Sequence, residues 1–410
     1  MAGGSRVLNM FFRKPPFGVD ISDYSIEIIS LAGTIKNSKL LAMGRITLEP
    51  GIFEDGKILG KEELKKNLKS LIENPKFGKI KHPLCGYPKI IFAIPESKSY
   101  IHIFELPKNL KKTTTPPPPS WKAPREVLEL VKSQASQTFP YSLAELYFDF
   151  QIYDQEILLI AAPKKIVNDY LEVFKDSNLT PVALEIESLS LARALVDELR
   201  SSSPFACARV IENSKPLLIA DIGARTTNLS VFDPVRNNIS NGAGKIQLRL
   251  SFSVPIAGNR FSQALSEKLN IPQAAAEGLK REIGLNPEYQ EGKVFLILQK
   301  EIQGIIGEIN KIKKYFQEKT GKIIEKIILA GGSSVLPRLP EYFAENLDLP
   351  VEIGDPWVKI NIDILKKKEY FKTALEVNPI FYSTVIGTAL RGLSKDPSKV
   401  GINLLKNIKS

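Results

Sequence analysis

Cysteine and histidine are nearly missing from this chain. Its 410 residues include two cysteines, Cys85 and Cys207, and two histidines, His82 and His102. Two thiols so far apart in sequence make no disulfide framework, and with only two histidines a Cys/His zinc site is not expected. So little thiol suits a reduced, cytoplasmic compartment. Long apolar runs are also lacking. Nothing approaches the ~20 consecutive apolar residues of a membrane-spanning helix, and the apolar run within residues 1–14 is too short for a signal peptide. That stretch reads as a flexible leader. No Gly-x-Ser-x-Gly nucleophile occurs, and neither histidine has a visible partner, so no hydrolytic base is identifiable.

The remaining composition is ordinary for a globular protein: 43% hydrophobic and 25% charged. The length fits two or three domains, or one large two-lobed domain. Lys+Arg minus Asp+Glu is 56 − 45 = +11, which leans towards an acidic partner or surface. The positive charge falls in short clusters, such as Lys65–Lys66 and residues 366–368, that read as solvated faces. With no aromatic-basic platform and no helix-turn-helix signature, nucleic acid is not an expected partner.

Residues 17–31 read as strand, tight loop, strand, and residues 40–48 as a further strand. Leu64, Leu68, Leu71 and Ile72 recur at helical spacing and predict a helix over 61–73. The apolar run 90–94 ends at Pro95 and predicts a buried strand. Four consecutive prolines, 116–119, predict an extended surface loop. A helix over 124–138, strands at 146–153 and 157–162 and a helix over 167–177 make residues 96–182 look like a self-contained small α/β module. In the second half, strands are expected near 217–220, 228–232, 245–251 and 326–330. Helices are expected over 262–269 and 273–283 and from 339. Ile302, Ile305, Ile306, Ile309, Ile312 and Phe316 form the core stripe of a long helix.

One constellation carries chemistry. Asp20-Ile21-Ser22-Asp23-Tyr24-Ser25 and Asp221-Ile222-Gly223-Ala224-Arg225-Thr226-Thr227 share a pattern: an apolar strand ending in Asp, a small residue two positions on, then a hydroxyl and a second strand. Backbone N–H groups of such loops point at phosphate oxygens, and the hydroxyls of Ser22, Ser25, Thr226 and Thr227 add donors. Gly223 lets the backbone come close, with Ala224 and Arg225 beside it. Asp20 and Asp221 suit Mg²⁺ held through water. Two such hairpins in two lobes would clamp a polyphosphate from both sides. Ile328-Leu329-Ala330-Gly331-Gly332-Ser333 is a strand ending in paired glycines, against which a flat ring can lie. Glu277 and Lys280, three apart on one helical face, are placed to reach a ribose or adenine edge. Gly242-Ala243-Gly244-Lys245 echoes a P-loop but lacks its first glycine and its Ser/Thr, and reads as a hairpin turn.

These motifs, in this order, resemble those of the actin-like ATPase superfamily and, within it, the PilM family of type IV pilus assembly proteins, which is related to FtsA. The resemblance runs from about residue 17 to 405 and rests on 17–31, 161–165, 181–187, 221–231, 256–259, 276–280, 328–339, 386–393 and 402–405. It implies a two-lobed actin-like (ribonuclease H-like) α/β fold with an inserted small α/β domain. Lobe I would be 15–95 with 183–212 and 380–394, the partner-docking insertion 96–182, lobe II 213–379 and the tail 395–410. It implies ATP with Mg²⁺ as ligand, and a cytoplasmic scaffold at the inner face of the membrane. The implied partner is the cytoplasmic tail of a PilN-like bitopic protein, bound near the insertion, with a PilO-like protein and the pilus motor and platform beyond it. Self-association is a further implication.

The first hairpin departs from the family's Asp-Ile-Gly-Ser-Ser-Ser-apolar-Lys pattern: Ser22 replaces the Gly, Asp23 a Ser and Glu27 the Lys. A carboxylate about 4 Å from a phosphate charge costs roughly 4 kcal/mol at an effective dielectric near 20, so nucleotide binding is expected to be weak or lost, leaving a scaffold with little or no ATPase activity. Arg225 is positioned to offset part of that cost. The tail Ile402-Asn403-Leu404-Leu405-Lys406 resembles the Ile-Asn-Leu-Leu leader by which PilN-like partners dock. Two readings stand side by side: the tail is simply a frayed end, or it occupies this chain's own docking groove, or a neighbour's, until the partner displaces it. Two rival readings are an FtsA-like membrane tether, for whose amphipathic helix residues 401–410 are short, and a sugar kinase on the same fold, for which no base stands out.

Overall fold

The computed structural model describes residues 14–54, 56–80, 83, 86–107, 124–153, 156–196, 215–234, 246–360 and 378–406. His82, Cys85, Cys207, the proline run 116–119, the P-loop echo 242–245, the lysine cluster 366–368 and the leader up to residue 13 lie outside the described residues.

The chain opens with β1 (Phe17–Ile21), β2 (Ser25–Thr34), β3 (Asn37–Thr47), the short pair β4 (Phe53–Glu54) and β5 (Lys57–Ile58), α1 (Lys61–Glu73), β6 (Phe77–Gly78), β7 (Lys89–Ile94) and β8 (Tyr100–Glu105). It continues with α2 (Arg125–Thr138), β9 (Leu146–Tyr153), β10 (Glu156–Pro163), α3 (Lys164–Asp176), β11 (Thr180–Ile186) and α4 (Glu187–Leu195). The second half holds β12 (Leu217–Ile222), β13 (Thr227–Pro234), β14 (Ile246–Val254), α5 (Gly258–Leu269), α6 (Gln273–Ile283), α7 (Lys293–Thr320), β15 (Lys326–Ala330), α8 (Leu339–Leu347), β16 (Val351–Ile353) and α9 (Ser383–Gly392).

Two sheets share one plan. The first has the order β11-β7-β1-β2-β3-β6 and the second β14-β13-β12-β15-β16. In each, an antiparallel meander (β1-β2-β3 or β12-β13-β14) is extended by two strands parallel to its first member. The registers match as well: Asp20 pairs with Glu27 and Asp221 with Asn228, each seven residues on. Parallel strands need covering on both faces, which explains the continuous apolar runs of β7 and β15. Helices α4 and α9 pack on β7, with α9 also on β1; α1 packs on β3, and α3 on β11. The α4–α9 contact is so close that a side chain at Gly387 would collide with the Ser190 backbone. The stripe from Ile302 to Phe316 on α7 is buried in the core of the second lobe.

The third sheet, β8-β10-β9, carries α2 and a small core of its own. Strand β10 divides its side chains by alternation: Ile157, Leu159 and Ala161 face that small core, while Leu158, Ile160 and Ala162 join the large core of the first lobe. Within 96–182, therefore, β8, α2, β9 and β10 form the distinct unit. Helix α3 and strand β11 pack with the six-stranded sheet. Among the described residues no helix is long and apolar enough to cross a membrane.

Candidate functional site

Both hairpins close in the same way. Ser22 N–H donates to Ser25 O at 2.9 Å, and Gly223 N–H to Thr226 O at 3.0 Å. In the first, the Ser22 hydroxyl is spent on its own turn, taking the Ser25 N–H at 3.1 Å. In the second, Gly223 O accepts from Gly258 N–H and from Ser333 Oγ, and Ala224 O accepts from Asn259 N–H. These bonds tie the loop to the start of α5 and to the turn after β15.

The two hairpins border one cavity of about 940 Å³, within the range of small-molecule sites. Asp20, Ser22 and Ser25 line it from one lobe. Asp221, Gly223, Ala224, Arg225 and Thr226 line it from the other, with Glu277, Lys280, Gly331, Gly332 and Ser333 completing the wall. Thr227 is a correction to the sequence reading. It is the first residue of β13, fully buried, and its hydroxyl donates to Ile256 O at 2.6 Å. Side chains alternate along a strand, so the residue after Thr226 points to the other face. The cleft receives Asn228 instead. Its counterpart Glu27 and the Asp-plus-seven spacing were the signal that could have found it.

The cleft floor concentrates buried carboxylates. Burial pushes Asp20 well above the usual carboxylate range, with the charges of Glu27 and Asp221 adding to it. Asp221 is held up at about 6 by burial against a hydrogen bond from Asn228. Glu187, at the start of α4, is raised well above its ordinary value by burial and then by Asp20, Asp221 and Glu96. Glu96, just behind the cleft, is pushed up to about 7, chiefly by burial. Sequence reasoning assigned no role to Glu187 or Glu96, whose place beside the two aspartates depends on long-range packing.

Both acidic departures in the first hairpin face the cleft, and each has an arginine partner. Arg45 Nε donates to Glu27 Oε1 at 2.7 Å and its guanidinium lies 4.6 Å from the Phe381 ring centroid. Arg225 meets Asp23 at 3.2 Å and Glu54 at 3.3 Å, linking the two lobes. The repulsion expected of Asp23 and Glu27 is thus largely neutralised within the protein. Lys280 is likewise engaged, with Glu277 at 2.6 Å and Gly258 O at 3.0 Å.

An all-oxygen donor set suits Mg²⁺. Asp20 Oδ1 is buried without a hydrogen-bond partner, an acceptor that a hydrated cation satisfies. Among the described residues no three His, Cys, Asp or Glu side chains converge closely enough to hold a metal on their own, so an ion held here would have to keep most of its waters. Gly331 makes this packing feasible. Its φ is +78°, and a Cβ there would press on Asp221 Oδ1 and Ile222 O.

Comparison with known proteins follows the same outline. No curated protein sequence matches the chain. Among solved structures, a "PilM-PilN type IV pilus biogenesis complex" superposes with a TM-score of 0.69 at 18% identity, covering 93% of this chain and 99% of the other. The ethanolamine utilization protein EutJ of Carboxydothermus hydrogenoformans (TM-score 0.48, 14% identity, 92% and 89% covered) and ADP-bound MreB5 of Spiroplasma citri (0.45, 14%, 97% and 99%) are more distant. The family model for the type IV pilus assembly protein PilM matches residues 18–393. With the fold shared and nearly the whole chain matched, the chain belongs to the PilM family of type IV pilus assembly proteins.

Proposed function

We propose that the chain is the actin-like scaffold of a type IV pilus inner-membrane assembly complex, and that its cleft takes ATP with Mg²⁺. The observation that carries the nucleotide reading is the pair of matching hairpins whose aspartates, Asp20 and Asp221, border one cavity. The second hairpin (Gly223, Ala224, Arg225 and Thr226) and the first (Ser22 and Ser25) flank the phosphates. Gly331, Gly332 and Ser333 border the base, and Glu277 with Lys280 the ribose or adenine edge. Bound Mg²⁺ supplies charge neutralisation between the polyphosphate and the two aspartates. The cleft's own cations Arg45, Arg225 and Lys280 are already engaged with Glu27, Asp23 and Glu277, so they offer a polyphosphate without its metal little uncompensated positive charge. Binding is therefore Mg²⁺-dependent, and with no identified base the nucleotide serves shape more than turnover.

As a scaffold the chain docks the cytoplasmic N-terminal segment of a PilN-like bitopic protein beside the β8-β10-β9 unit. Through that protein it reaches a PilO-like protein and the motor, and sits peripherally at the inner face of the membrane. The similar solved structure is itself a PilM-PilN complex, which supports this partner. Residues 401–405 are packed into the fold. Pull-down of the intact chain with the PilN-like protein's cytoplasmic peptide tests this docking. Saturable retention is expected, and no retention above a scrambled peptide contradicts it.

A further inference from the structure

Strand β11 is an edge of the six-stranded sheet, yet its outer side is not bare. The segment after Gly401 lies along it. Leu404 N–H donates to Leu184 O at 3.0 Å, and Leu184 N–H donates to Asn403 Oδ1 at 3.1 Å. Asn403 Nδ2 reaches Val182 O at 3.3 Å. One asparagine side chain and one backbone amide thus satisfy three polar groups of a strand edge, which is how an added peptide is read by a sheet. The opposite wall comes from β9: Asp149 accepts from Asn403 N–H at 2.9 Å and pairs with Lys406 at 3.1 Å. The floor is the fully buried Arg391, whose Nη1 donates to Ile402 O and to Glu185, both at 2.6 Å. Ile402, Leu404 and Leu405 are at most 7% exposed.

A five-residue stretch at the end of the described chain is therefore bound like a ligand, by sequence-specific contacts, in a groove between the inserted sheet and the main sheet. Its recognition pattern is apolar-Asn-Leu-Leu-basic. We propose that residues 402–406 are a displaceable cis ligand of a linear-peptide groove, and that they hold this groove closed to the partner's cytoplasmic segment. The proposal rests on the partner-docking reading above and adds what regulates it. The occupant in the resting state is the chain's own tail.

The test uses the intact chain, a chain ending at residue 400, and a fluorescent peptide of residues 401–410. The shortened chain is expected to bind the peptide at least tenfold more tightly than the intact chain does, and Asn403→Ala in the peptide is expected to abolish binding. The partner's cytoplasmic segment should compete with the peptide and should bind the shortened chain more tightly than the intact one. If the shortened chain melts cooperatively and does not bind the peptide, the proposal is overturned. If the partner's segment binds both chains equally, the regulation is overturned while the docking reading stands. If it binds neither, both fall. Should the shortened chain not fold, a protease site placed at Lys399–Val400 allows the tail to be cut after folding. A cut tail that remains bound and exchanges with excess labelled peptide supports the proposal, and one that does not exchange overturns it.

Discussion

Glu96→Gln probes the buried carboxylates behind and beneath the cleft. Glu96 is 6% exposed, and its carboxylate accepts from Ser188 N–H at 3.2 Å and from Ser251 Oγ at 3.1 Å. Burial raises it from 4.5 to about 7; the Ser188 and Ser251 bonds oppose the shift and the charge of Asp221 adds to it. A group that holds its proton more tightly folded than unfolded stabilises the fold while protonated. That stabilisation is complete below the unfolded value and is lost as pH rises through the folded one. At about 1.36 kcal/mol per pKa unit, the isolated group is worth on the order of 3 kcal/mol. Asp221 and Glu27, both held up at about 6 chiefly by burial, slope in the same direction. Glutamine is neutral at every pH and keeps an oxygen for the Ser188 N–H, while its amide can donate to Ser251. In Mg²⁺-free buffer the wild type should therefore lose stability from pH 5 to pH 8, and the variant should lose about 1–3 kcal/mol less. Urea denaturation across that range measures both slopes. A constant gap between the two proteins at all pH values, or a wild type that gains stability from pH 5 to pH 8, would refute the reasoning.

Three further outcomes follow from the geometry. Gly331→Ala forces a side chain into a φ of +78° beside Asp221; it should cost more than about 1 kcal/mol by urea denaturation and weaken nucleotide binding with it. Arg391→Met removes a fully buried cation. Although burial pushes Glu185 up, Arg193 and Arg391 hold it down at about 2. Losing one partner should cost about 3–5 kcal/mol at pH 7, read as a lowered urea midpoint, and a loss under about 1 kcal/mol would contradict it. Arg225→Ala opens the Asp23–Arg225–Glu54 link between lobes. With the Arg225 side chain 40% exposed, stability should fall by less than about 1 kcal/mol. Mg²⁺-ATP affinity should drop severalfold, because Asp23 then faces the phosphates without that arginine.

The local elements were readable from periodicity. Leu64, Leu68, Leu71 and Ile72 mark the buried face of a helix whose ends fall where the spacing places them, and the run before Pro95 is a strand buried on both faces. The two aspartate-tipped hairpins were readable as a repeat, because a tight turn sets register within a few residues. Long-range placement was hidden. Nothing near Glu27 announces Arg45 on the next strand, and nothing near Asp23 announces Arg225 some two hundred residues away. Glu187 sits at the start of α4, far in sequence from both hairpins, and lines the same cleft. Thr227 faces away from the cleft because a single step along a strand reverses the face, and only the register shows that Asn228 is the counterpart of Glu27.

Calorimetric titration of ATP into the wild type and into Asp221→Asn, each with Mg²⁺ and again with EDTA, examines the claim on which the nucleotide reading depends. Saturable binding to the wild type is predicted, disappearing with EDTA and weakening at least tenfold in the variant. Binding that ignores the metal, binding unchanged by Asp221→Asn, or no binding to the wild type at all would contradict that claim.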